Sequence, residues 1–122
     1  HNMSNYKNDL GIRTTELGKK SIKLANNLPR NVITNPLISQ FIRAATSVGA
    51  NYCEADESES DRDLIHKLRI CQKELKELKH WLQIIVVAVP EAKLAARIFW
   101  QEVIELSKIF STIITKIQKR IK

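Results

Sequence analysis

The chain has 122 residues, 43% of them hydrophobic, and a formal net charge of +7. That length suits one domain around one core, and three glycines with three prolines are too few turn residues for a many-stranded β protein. The longest uncharged apolar run, residues 84–89, falls far short of the roughly 20 residues a membrane-spanning helix needs, and no signal peptide is evident, so a cytoplasmic protein with no membrane partner is expected.

His1 and Asn2 stand ahead of Met3 and read as an expression scar, and residues 1–7 are set aside as scar and flexible N-terminus. Over residues 8–28, Leu10, Leu17, Leu24 and Leu28 recur on one side with Ala25 beside them, while Arg13, Lys19, Lys20 and Lys23 point elsewhere. This pattern predicts an amphipathic helix ended by Pro29, which disfavours helical geometry in the residue before it. Gly11 and Gly18 count against its first half. Residues 29–35 form a connection. Asn35-Pro36 then signals a helix start, with Asn35 as the cap and Pro36 at the first helical position. The second helix is expected over 36–55, with Ile38, Phe41, Ala45, Val48 and Tyr52 facing the core. Ala44, Ala45 and Ala50 allow a neighbour to come close.

Residues 54–63 carry six carboxylates and one Arg. Within them Ser60 can cap a third helix, with Asp63 three residues on and Asp61 favoured by the helix dipole. Over residues 60–89, Leu64, Leu68, Cys71, Leu75, Leu78, Leu82, Ile85 and Val89 keep a heptad seam inside a sector of roughly 120°. Glu74, Glu77, Lys73, Lys76, Lys79 and Arg69 lie off that seam. Such a helix is about 45 Å long, and other helices must cover its seam. Pro90 ends it and starts the fourth helix, which runs to Ile121 on a stripe of Phe99, Leu106, Phe110, Ile113 and Ile117, with Val103 and Ile121 beside it. Four helices with short joints predict an all-α, antiparallel up-down-up-down four-helix bundle forming one domain over residues 1–122.

The last two helices carry more apolar surface than one seam uses. Ile70, Trp81, Ile84 and Ala88 flank the third seam, and Ile98, Trp100, Ile104, Ile109 and Ile114 widen the fourth past half its circumference. Apolar surface beyond one core points to a second copy of the chain, with Trp81, Ile84, Ile98, Trp100 and Ile104 as the contact set. The alternative is a broad arc facing two neighbours within one bundle.

The run Arg43-Ala44-Ala45-Thr46-Ser47-Val48-Gly49-Ala50-Asn51-Tyr52-Cys53-Glu54-Ala55 resembles the RAATSVGANIAEA signature of the four-helix-bundle proteins encoded in intervening sequences of bacterial 23S ribosomal RNA genes. Leu64 to Ile70, Lys73 to Glu77 with Trp81-Leu82, and Gln101 to Leu106 are similar to that family's third and fourth helices. Tyr52-Cys53 and Asp56-Glu57-Ser58-Glu59 depart from its pattern. The resemblance implies an all-α bundle assembling as a homo-pentamer with a central channel and no established enzymatic activity. A related branch, the accessory protein of diversity-generating retroelements, is a basic pentamer that binds nucleic acid and a reverse transcriptase.

On the second helix, Arg43, Ser47, Asn51 and Glu54 project within about 80° of one another, opposite the core face. The resemblance implies an oligomer-contact role for this strip; by spacing alone it is an ordinary solvated face. Arg43 and Glu54, roughly 16 Å apart along the helix, cannot pair with each other there. If the two pair, they do so between subunits or with something bound. Candidate phosphate contacts are Arg13, Lys19, Lys20 and Lys23, then Lys67, then Lys116, Lys119 and Arg120, since basic side chains bind nucleic acid through counterion release. Solvated faces with partners one turn away explain them equally. Cys53 and Cys71 lack CxxC spacing and read as reduced, buried thiols. His66 and His80 lie about 21 Å apart, and no HExxH, GxSxG, P-loop or calcium-loop pattern occurs. No catalytic residue, metal, cofactor or small-molecule substrate is expected. The reading is a non-enzymatic homo-oligomeric binding module for RNA or DNA; the alternative is a protein–protein adaptor with no nucleic-acid role.

Overall fold

Apolar residues at three- and four-residue spacing wind the chain into four long helices: α1 (Lys7–Asn26), α2 (Thr34–Asp56), α3 (Asp61–Ala88) and α4 (Lys93–Ile121). The structure, a computed structural model, describes residues 7–121. The scar and N-terminus expected over 1–6 lie outside the described residues, and Lys7 is already helical. No strand occurs among the described residues, and the helices form the antiparallel up-down-up-down four-helix bundle that the short joints demand.

The α3 seam sits at the centre. All eight of its residues, Leu64 to Val89, are at most 4% exposed. Burying each leucine contributes on the order of 2 kcal/mol. Leu10, Leu17, Leu24 and Leu28 of the first segment, Phe41, Val48 and Tyr52 of α2, and Phe99, Leu106, Phe110 and Ile117 of α4 close over it in one continuous core. Phe41 meets Phe99 at 5.1 Å between ring centroids, and Tyr52 meets Phe110 edge-on at 6.2 Å, so α2 and α4 touch across the bundle's middle. Burial holds the Tyr52 phenol far above its ordinary range, with the charge of Asp56 adding to the effect.

Several details differ from the sequence reading. α2 begins two residues early, its N-cap position is Ile33 rather than Asn35, and Asn31 just ahead of it serves the N–H groups at the helix start. The Asn31 Oδ1 accepts from the backbone N–H of Ile33 and of Thr34, both at 2.9 Å, while the Thr34 hydroxyl accepts from Asn31 N and donates to Pro29 O. Pro36 falls in the first turn, where its missing N–H is harmless. Ser60 does cap α3, accepting from Asp63 N at 3.1 Å. Pro90 starts a short 3₁₀ turn, Pro90–Ala92, before α4 proper. Ile114 belongs to the core at 4% exposure, whereas Ile121 is 36% exposed. Cys71 is buried as expected, but Cys53 is exposed, and both thiols are free.

α1 and α2 pack closest where side chains are smallest. Ala44 and Ala45 are buried there, although Ala50 is exposed. A Cβ on Gly49 would lie 3.2 Å from the Thr14 carbonyl oxygen, and one on Gly18 would lie 3.5 Å from Thr46 Cγ2. The two sites should therefore respond with opposite sign. Gly18→Ala fits and should stabilise by about 0.5–1 kcal/mol through helix propensity. Gly49→Leu forces α1 away and should cost about 2 kcal/mol or more. Thermal unfolding followed by circular dichroism checks both, with the melting temperature rising for the first and falling for the second.

Candidate functional site

The signature strip lies along the α2–α3 flank, and its charges are met by α3 of the same chain. Arg43 Nη1 donates to Glu74 Oε1 at 3.3 Å, its Nη2 pairs with Glu77, and its Nε donates to Gln40 Oε1 at 3.0 Å. Lys67 Nζ donates to Glu54 at 2.7 Å, and this hydrogen bond holds the lysine above its ordinary range. Asn51 donates to the Ser47 carbonyl at 2.8 Å. Arg43 and Glu54 do not pair with each other, and within the protomer each is met by a partner on α3. Glu74, placed off the seam by its charge, is 7% exposed, and the Arg43 guanidinium compensates it.

The apolar contact set does not form one patch. Trp81 shares the α2–α3 flank with the strip, because its indole N–H donates to Glu77 Oε2 at 3.2 Å, the same carboxylate that Arg43 holds. Ile84, three residues on, projects to the same side of α3 and is half-buried. Ile98 and Trp100 project about 160° apart on α4. Ile98, 67% exposed, borders a groove shared with Lys20, Lys23 and Leu24 of α1. Half-buried Trp100 instead lines a groove against α3, and Ile104, one turn along, is also half-buried.

The basic candidates divide by whether an acid already holds them. Arg13 grips Glu102 through two hydrogen bonds of 2.7 and 3.1 Å and reaches Glu105, tying α1 to α4. Lys19 pairs with Glu16. Arg120 donates to both Asp61 oxygens, pinning the end of α4 to the start of α3 and keeping that carboxyl below its usual range. Lys116 is also engaged. Among the described residues, Lys20, Lys23 and Lys119 form no ion pair, and neither do three cations that sequence reasoning passed over: Arg30, Lys93 and Arg97. Antiparallel packing gathers five of these at one end. Loop residues Leu28 and Pro29 share a surface hollow there with Val89, Glu91 and Ala92. Lys20 and Lys23 close α1 toward that end, and Lys93 and Arg97 open α4 from it. The signal was available in the alternation of helix direction, which puts odd helix ends and even helix starts together.

No group of three or more metal-ligating side chains occurs among the described residues, and none of the described helices is long and apolar enough to cross a membrane. Burial pushes the Cys71 thiol up to about 12, leaving it protonated and unreactive at neutral pH.

A family model described as 23S rRNA-intervening sequence protein matches residues 8–112. Among solved structures, a protein of unknown function from the S23 ribosomal protein family of Bacteroides thetaiotaomicron superposes with a TM-score of 0.77 at 25% identity, covering 88% of this chain and 96% of that one. No curated protein matches the chain.

The Arg43–Glu74 contact makes a stability prediction. Arg43→Met leaves a buried carboxylate without its cation and should cost about 2 kcal/mol. Adding Glu74→Leu removes the stranded charge and should restore most of that loss. Urea denaturation of the two variants is the check.

Proposed function

The chain belongs to the 23S rRNA-intervening sequence protein family, and from that premise we propose that it is a non-enzymatic module that associates with copies of itself and holds RNA or DNA by its phosphates. The observation that carries this reading is the division of its surface. On the α2–α3 flank the charges of Arg43, Glu54, Lys67, Glu74 and Glu77 neutralise one another beside half-buried Trp81 and Ile84. A face whose ions are already paired loses less when a second protein surface displaces its water than a face of unpaired charges would. At the loop end, Lys20, Lys23, Arg30, Lys93 and Arg97 form no ion pair and outnumber the neighbouring Glu91, which suits a polyanion and resists burial against a like copy.

In this reading the strip serves assembly indirectly. Arg43 and Glu54 fix α2 against α3, and Ser47, Asn51, Trp81 and Ile84 present the surface that a neighbour covers. The resemblance of residues 43–55 to the family signature supports five as the number of copies. Nucleic acid is then held at the basic ends, through charge and without base-specific contacts from those lysines.

Two measurements test the proposal. Light scattering at low and high salt should give about 70 kDa, five chains of 14.0 kDa, and Ile84→Lys should return the mass to that of one chain while Ile98→Lys does not. Structured RNA should be retained at low salt and released steeply as salt rises, and Lys20→Glu with Lys23→Glu should weaken retention about tenfold or more. A wild-type monomer would defeat the assembly claim. Absence of RNA retention at low salt would defeat the nucleic-acid claim and favour an adaptor for another protein.

A further inference from the structure

The groove between α3 and α4 has a chemistry that the general phosphate reading does not use. Its volume is about 480 Å³, within the range of small-ligand sites. Its floor is apolar, made by Leu82 and Val86 of α3 and Ala96 and Trp100 of α4. Gln83 and Gln101 stand at its rim on opposite helices, each carrying both a donor and an acceptor. Lys93 and Arg97 complete the lining, which includes no carboxylate. Lys79 adds a third cation, its ammonium 5.9 Å from the centre of the Trp100 ring system.

An indole, two amides and two or three unneutralised cations around one small hollow match a planar heteroaromatic ring joined to an anion. We propose that this groove takes one unpaired nucleotide of a single strand, with its base against Trp100 and its phosphates on Lys93 and Arg97. This inference rests on the nucleic-acid reading above and narrows it from polyanions in general to unpaired strands. A paired base within a duplex has both faces stacked and its Watson–Crick edge occupied, so a duplex can use the cations but not the indole. An acidic peptide would satisfy the cations too. Its backbone could also meet the two amides, but a nucleotide adds a planar ring that stacks on the indole.

The test titrates the full chain with an oligothymidylate and with a duplex RNA of matched phosphate number, and takes the emission lost in Trp100→Leu as the Trp100 signal. The single strand should quench the emission and the duplex should not. Trp100→Leu, which keeps apolar volume, should weaken single-strand binding about tenfold. Lys93→Gln with Arg97→Gln, both exposed and harmless to the core, should flatten the dependence of log affinity on log salt by roughly 1.4. Single-strand binding with unchanged Trp100 emission and an unchanged slope in the Gln variant would overturn the groove assignment while leaving the nucleic-acid reading intact. Failure of both probes to bind at low salt would remove that reading as well. Quenching by an acidic amphipathic peptide but not by the oligothymidylate would give the groove to a protein partner and overturn the proposal.

Discussion

A 28-residue helix with an unbroken apolar seam constrains everything around it. The eight buried seam side chains run for about 37 Å, and water must be excluded along that whole length at once. One neighbouring helix covers only part of the arc, so three others have to lie along α3 and across from it. Their short joints leave antiparallel packing as the way to do this. The Phe41–Phe99 and Tyr52–Phe110 contacts are the consequence on the far side of the core, where α2 and α4 close over what α3 leaves open. The glycines at the α1–α2 crossing follow from the same demand, since α1 reaches the seam only by coming within side-chain-free distance of α2.

The antiparallel order then sorts the surface. Residues far apart in sequence are forced to share an end, and the basic ends of α1 and α4 meet beside the loop containing Arg30. At the opposite end the acidic α2–α3 turn lies near the basic close of α4, and Arg120–Asp61 and Lys67–Glu54 cancel much of that charge. The formal +7 of the chain is therefore not spread evenly. Five cations without ion pairs gather at the loop end, which gives the proposed function a direction along the bundle axis.

The helices and the core were legible because periodicity is a local property. All eight seam positions, the leucines of α1 and the aromatic face of α2 could be read from spacing, and all are buried. What could not be read depends on a neighbouring helix. Arg43 finds Glu74 thirty-one residues away, so the strip reads as solvated until α3 is laid beside it. Glu74 is charged and sits at the edge of the seam, and only its distant cation explains its burial. Gly18 looks like a weak point of its helix until the crossing with α2, where Gly49 meets Thr14, is seen. Asn35 did not cap α2 because Asn31 reaches two backbone N–H groups at the helix start from outside the helix, which a proline-based start signal does not reveal. The basic patch was half legible: Lys20 and Lys23 stood out on one helix, whereas Arg30, Lys93 and Arg97 gain meaning only from topology.

The central claim is that this bundle leaves its α2–α3 flank for a second copy. Cys53 allows the most direct measurement, since it is exposed on α2 while Cys71 is buried and inert, so a nitroxide reagent labels one site in the unaltered chain. Pulsed electron spin resonance should then show two intermolecular distances, the longer roughly 1.6 times the shorter, as a closed five-fold ring requires. No distance between labels at any protein concentration would contradict the account.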